Sequence, residues 1–170
     1  TDNIAMGNGA LFNNKVGSEN VAIGVNALQN QAAVIAGLNN GNTAVGYQAL
    51  YTNKQNANTA VGWQAMYKNL GGSENTALGY QALEQNESGL NNTAIGYKAL
   101  AISTNGGNTA VGTNSLVNNL TGNNNVAIGY NAGPTTNNLS NTISIGANVT
   151  PANSNSCVIG DPSLNINVGI

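Results

Sequence analysis

Ten glycines, Gly7, Gly24, Gly46, Gly62, Gly79, Gly96, Gly112, Gly129, Gly146 and Gly160, stand in one file whose surroundings repeat from end to end of the chain. Successive gaps are 17, 22, 16, 17, 17, 16, 17, 17 and 14 residues. The residue before each glycine is apolar: Met6, Ile23, Val45, Val61, Leu78, Ile95, Val111, Ile128, Ile145 and Ile159. Two before it stands alanine in eight coils, then Ser144 and Val158. Four before it stands asparagine in eight coils, then Thr142 and Ser156. Length varies only between these cores, where loops absorb insertions and packed strands do not. A fixed period of this size is the mark of a solenoid built one coil at a time.

Charged residues make up only 6% of the chain, yet every coil keeps its apolar positions, so the composition is not that of a disordered segment. Asparagine is about a fifth of the residues and glycine contributes 22. We therefore expect one all-β, quasi-one-dimensional module of about ten coils, 14–22 residues each, a parallel β-roll roughly 45–50 Å long. The expected bounds are 1–165 for the repetitive head or shaft module and 166–170 for the truncated start of a following segment. The repeat reaches both ends, as in a piece of a longer protein whose other parts carry an anchor or export signal.

The alternation in Asn-Thr-Ala-Val-Gly puts Thr43 and Val45 on one face and Ala44 and Gly46 on the other. Ile4, Val21, Val126, Ile143 and Cys157 replace threonine in its column. That exchange points the Thr/Val face into the coil, with hydroxyls satisfied by backbone carbonyls, and gives Cys157 a packed apolar role, an interchain or reactive thiol being the alternative. The small Ala/Gly face would then lie against another copy of the chain. The Tyr-Gln-Ala-Leu stretch reads as a second strand, its column (Leu11, Leu28, Leu50, Met66, Leu83, Leu100, Leu116, Leu164) forming the opposite wall. Asn39-Asn40-Gly41, Gly71-Gly72, Asn105-Gly106-Gly107 and Gly122-Asn123 read as turns.

Two columns invite functional readings. Asn3, Asn20, Asn42, Asn58, Asn75, Asn92, Asn108 and Asn125 form either a polar binding stripe or a coil-to-coil amide ladder. Tyr47, Trp63, Tyr80, Tyr97 and Tyr130 form either a platform for sugars or a receptor, or packing between coils or protomers. The long insertion from Gln29 to Asn40, with Val34 and Ile35, is a further candidate contact with a protomer or a target.

Catalytic chemistry is not visible. There is no histidine, the six acidic residues are scattered, and Glu84 and Glu87 share a variable turn without a partner. Two aspartates are too few for a calcium-binding roll, and no Gly-Lys-Ser/Thr follows a glycine-rich loop. We expect no enzyme, no cofactor and no metal site. A net charge of −2 with four lysines and no arginine gives no face for nucleic acid. No apolar run nears the roughly 20 residues of a bilayer span, so no direct membrane insertion is expected. Cys157, alone, forms no internal disulfide.

Asn-Val-Ala-Ile-Gly at Asn20 to Gly24 and Asn125 to Gly129, with the 14-residue spacing from Gly146 to Gly160, resembles the YadA-like head repeat of trimeric autotransporter adhesins. The longer coils, with Tyr-x-Ala-Leu after the glycine, are similar to repeats of bacterial surface fibres and phage tail fibres that end in an endosialidase-type chaperone. The resemblance covers about residues 3–164. It implies a left-handed β-roll assembled as a homotrimer. It also implies an adhesive module outside the cell or on a virion tail fibre, touching a host, prey or matrix surface through a glycan or protein receptor. A pure spacer is the alternative, and an ice-binding solenoid using Thr43, Thr59, Thr76, Thr93 and Thr109 a remote one.

Overall fold

A computed structural model describes residues 2–31 and 38–160. Val34, Ile35 and Leu164 lie outside these residues. The described chain is all-β, without a helix, and winds as a parallel β-solenoid of about nine turns. Its strands are β1 (Ile4–Met6), β2 (Val21–Ile23), β3 (Thr43–Val45), β4 (Thr52–Asn53), β5 (Thr59–Val61), β6 (Lys68–Asn69) and β7 (Thr76–Leu78). They continue as β8 (Gln85–Asn86), β9 (Thr93–Ile95), β10 (Ile102–Ser103), β11 (Thr109–Val111), β12 (Val126–Ile128), β13 (Ile143–Ile145) and β14 (Cys157–Ile159).

The repeat dictates the register. The ten three-residue strands form one parallel sheet, ordered β1-β2-β3-β5-β7-β9-β11-β12-β13-β14. Equivalent residues pair throughout, as Ala44 with Ala60 and Ala60 with Ala77. The short strands β4, β6, β8 and β10 form a second parallel sheet of four. This second wall lies after the Tyr-Gln-Ala-Leu stretch, not on it. Gln48 and Leu50 take φ of 54° and 49°, as do their equivalents down the file, which bends this stretch into a stacked turn rather than a strand. Rung-to-rung backbone bonds still run through it: Gln64 N donates to Tyr47 O at 2.9 Å and Leu50 N to Ala65 O at 3.0 Å.

The inside and outside of the first sheet are the reverse of the sequence expectation. Ala22, Ala44, Ala60, Ala77, Ala94, Ala110 and Ala127 are fully buried within their own coil. They pack with Ala27, Ala49, Ala65, Ala82 and Ala99 and with the Leu28, Leu50, Met66, Leu83, Leu100 and Leu116 file. The cross-section explains the reversal. A leucine from the stacked turn already fills most of the narrow interior, so the sheet can bring only a methyl group to meet it. The alanine side is filled by the chain's own leucine file, and the file glycines stack on each other, one rung to the next. The threonine and aliphatic residues point away from the core, and Cys157 is exposed rather than packed.

The remaining interior is amide. Asn42 N donates to Asn20 Oδ1 at 2.9 Å, and the Asn42 amide donates to the same oxygen at 3.1 Å. The pattern continues rung by rung to Thr142, whose N donates to Asn125 Oδ1 at 2.9 Å. Each asparagine amide also reaches a carbonyl across the coil, such as Asn58 to Gly72 O at 2.9 Å and Asn75 to Gly89 O at 2.9 Å. The column therefore closes the loop turns from inside while binding rung to rung. Gly72 is glycine for lack of room rather than for a positive φ: a Cβ there would collide with the amide of Asn86.

Candidate functional site

Two surface features follow from this architecture. The first is the outward face of the ten-stranded sheet. It carries two files: Ile4, Val21, Thr43, Thr59, Thr76, Thr93, Thr109, Val126, Ile143 and Cys157, and the aliphatic file from Met6 to Ile159. None of the twenty side chains is charged. Leu78 is 46% exposed, Ile128 42% and Met6 65%. With nine intervals of about 4.8 Å, the face is a strip roughly 43 Å long.

The second is the aromatic file beside it. Tyr47 and Trp63 stack with ring centroids 4.2 Å apart and planes at 24°. Tyr80 and Tyr97 stack at 5.3 Å, and Lys98 Nζ lies 5.6 Å from the Tyr97 centroid. Next to them runs an amide ladder, Gln64 to Gln48 at 2.9 Å and Gln81 to Gln64 at 3.0 Å. The rings of each pair pack face to face along the rod while Tyr47, Trp63, Tyr80 and Tyr97 keep 37–47% of their surface exposed. Tyr130 stands alone in this file, more than half exposed. On another flank Tyr51 and Tyr67 stack at 5.1 Å.

The buried asparagine column presents no stripe to solvent; Asn20, Asn42, Asn58, Asn75, Asn92, Asn108 and Asn125 are interior. A second interior ladder was missed in reading the sequence. Asn69 donates to Asn53 Oδ1 at 2.7 Å and Asn86 to Asn69 Oδ1 at 2.8 Å, in rungs where each asparagine falls three residues after the Leu/Met column. Asn14 and Asn119 hold the same place, and that spacing was the available signal.

A groove of about 520 Å³ opens between Ile102, Asn118, Leu120, Thr135, Thr136 and Asn137. No carboxylate, amine or thiol lines it. Among the described residues no group of three or more His, Cys, Asp or Glu could hold a metal ion. No helix among them is long and apolar enough to cross a membrane. Compared with family models, curated proteins and solved structures, the chain matches none.

Proposed function

We propose that this chain is a non-catalytic fibre module that assembles as a homotrimer and serves adhesion or recognition at a host, prey or matrix surface. The outward sheet face carries the reading. A soluble monomer rarely leaves so long a contiguous apolar strip bare. The strip repeats on every rung and lacks charge, so its natural complement is another copy of itself. Covering each half-exposed aliphatic side chain contributes on the order of 1 kcal/mol. Six such side chains, Ile4, Met6, Leu78, Ile128, Ile143 and Ile159, with smaller gains from the partly buried rungs between them, reach the lower part of an association cost of roughly 4–15 kcal/mol. The three-fold number comes from the resemblance to trimeric adhesin heads. The sealing surface is the Thr/aliphatic face, not the alanine face expected from sequence.

Solution mass tests the assembly: three times 17.1 kDa is expected for the chain. Leu78→Glu with Ile95→Glu should keep the β-sheet circular dichroism spectrum yet give a 17.1 kDa monomer, because like charges would meet within the covered face. A wild-type monomer would remove the assembly. Beads coated with the trimer should adhere to target cells, with avidity from three-fold repetition of outward side chains. Absence of adhesion at every coating density selects the spacer. The outward placement of Thr43, Thr59, Thr76, Thr93 and Thr109 also favours ice binding as a second reading, since it leaves a regular hydroxyl file bare on a monomer. Thermal hysteresis by a stable monomer would select it; a trimer covers the file.

A further inference from the structure

We propose that the five threonines of the outward face set the axial register of the assembly, by lying along the three-fold axis with one ring of hydroxyls per rung. The proposal rests on the homotrimer reading above. The problem it solves is physical. A strip of identical aliphatic rungs is register-degenerate, because sliding one chain by a rung exchanges like for like at almost every level. The file from Met6 to Ile159 has this defect: it is aliphatic at all ten rungs. The neighbouring file does not. It reads Ile4, Val21, then Thr43, Thr59, Thr76, Thr93 and Thr109, then Val126, Ile143 and Cys157.

The five hydroxyls have no hydrogen bond to any other described residue. Rungs about 4.8 Å apart hold them too far from each other for a direct bond. The strand amides and carbonyls beneath are engaged in the ladder, as Thr43 N is by Asn58 O at 2.8 Å. Covered by an aliphatic surface, each hydroxyl would be buried without a partner. A three-fold axis removes that penalty. It brings each hydroxyl to two copies of itself at one height, where each donates to the next and accepts from the last. Sliding one chain by a rung sets Thr43 against Val21 and Thr109 against Val126, leaving hydroxyls unpaired at both ends of the block. Sliding by two rungs doubles the mismatch. The aliphatic rungs on either side supply dry contact, and the polar block restricts the heights at which it can form, as a buried polar residue does in other periodic assemblies.

Cys157 is the chain's only cysteine, occupies the same file at the last described rung and is exposed in the single chain. It reports register directly: in-register chains bring their thiols to one height, so mild oxidation should give disulfide-linked pairs within the trimer. Replacing all five threonines by valine should preserve the solenoid, since valine suits an outward strand position. It should lower the Cys157 cross-linking yield by at least about tenfold, as the hydroxyl mismatch that disfavours slipped registers is gone. Staggered chains also leave sticky overhangs, so the variant should spread to masses above the trimer. The fivefold Thr→Ser variant keeps the hydroxyls and should keep wild-type cross-linking. A Thr→Val variant with the wild-type mass and cross-linking yield would overturn the proposal. So would a wild-type trimer whose Cys157 thiols never link. A wild-type monomer would instead remove the homotrimer reading on which the proposal stands.

Discussion

Asn58→Leu is expected to open the solenoid at its fourth rung. Leucine keeps the branched outline of asparagine, is somewhat bulkier, and supplies neither the acceptor nor the donor. Asn58 Oδ1 accepts from Asn75 N at 3.1 Å and from the Asn75 amide at 3.1 Å. Its own amide donates to Gly72 O at 2.9 Å. Two of the deserted groups keep other partners, because Gly72 O still accepts from Asn69 and the Asn75 amide still donates to Gly89 O. The Asn75 backbone N–H does not. A buried orphan donor, added to the lost ladder bonds, costs about 3 kcal/mol or more. Coils touch only their neighbours, so the damage stays local and the rod should part there before either half melts. Trypsin reports it, because Lys54 and Lys68 flank the site and Lys68 lies in β6. Cleavage at these lysines should accelerate while Lys15 and Lys98 stay protected as in the wild type. Asn118→Leu, on an exposed side chain, is the matched control and should lie within about 0.5 kcal/mol of the wild type. Equal protection of Asn58→Leu and the control would show that the column is not what joins the rungs.

The same column shows how far the sequence could be read. Period, strand positions and register are legible because the glycine file leaves one way to stack the coils, and Thr-Ala-Val pairs with Thr-Ala-Val at every level. The side each residue faces was not read correctly, although the information was present. Alternation puts Asn42, Ala44 and Gly46 on one side of the strand. If the asparagines ladder inside the coil, the alanines must be inside as well. Exchange of threonine with isoleucine, valine and cysteine suggested burial, but burial against a partner chain gives the same pattern as burial in a core. What a single sequence does not carry is the width of the interior, which decides that a leucine from the turn faces a methyl group and not a second branched side chain. The left-handed backbone at Leu50, Met66, Leu83 and Leu100 was hidden for a similar reason. Leucine has little local preference for it, and neighbouring rungs impose it through their hydrogen bonds.

Gly79→Ala should destabilise the rod by about 4 kcal/mol, more than its single added methyl group suggests. Gly79 has φ of +135°, a conformation that costs a residue with a Cβ roughly 1–3 kcal/mol. The Cβ would also stand 2.5 Å from Gly96 O and 2.8 Å from Gly96 C. Those atoms are backbone of the next rung, so relief requires the rungs to separate. Separation lengthens the bond from Gly96 N to Leu78 O, now 2.8 Å, and the ladder bonds on either side. Gly41→Ala is the reference for a left-handed glycine with open space around it. Gly41 has φ of +63°, but its Cβ would meet nothing within 4 Å, so alanine there should cost only about 1 kcal/mol. Denaturant titration of both variants measures the difference directly. A gap of about 3 kcal/mol is expected, because Gly79 combines a backbone conformation that residues with a Cβ hardly enter with a clash on the next rung. Equal losses would show that the file demands no more than an ordinary left-handed turn position, and it would then tolerate the asparagine so abundant elsewhere in the chain.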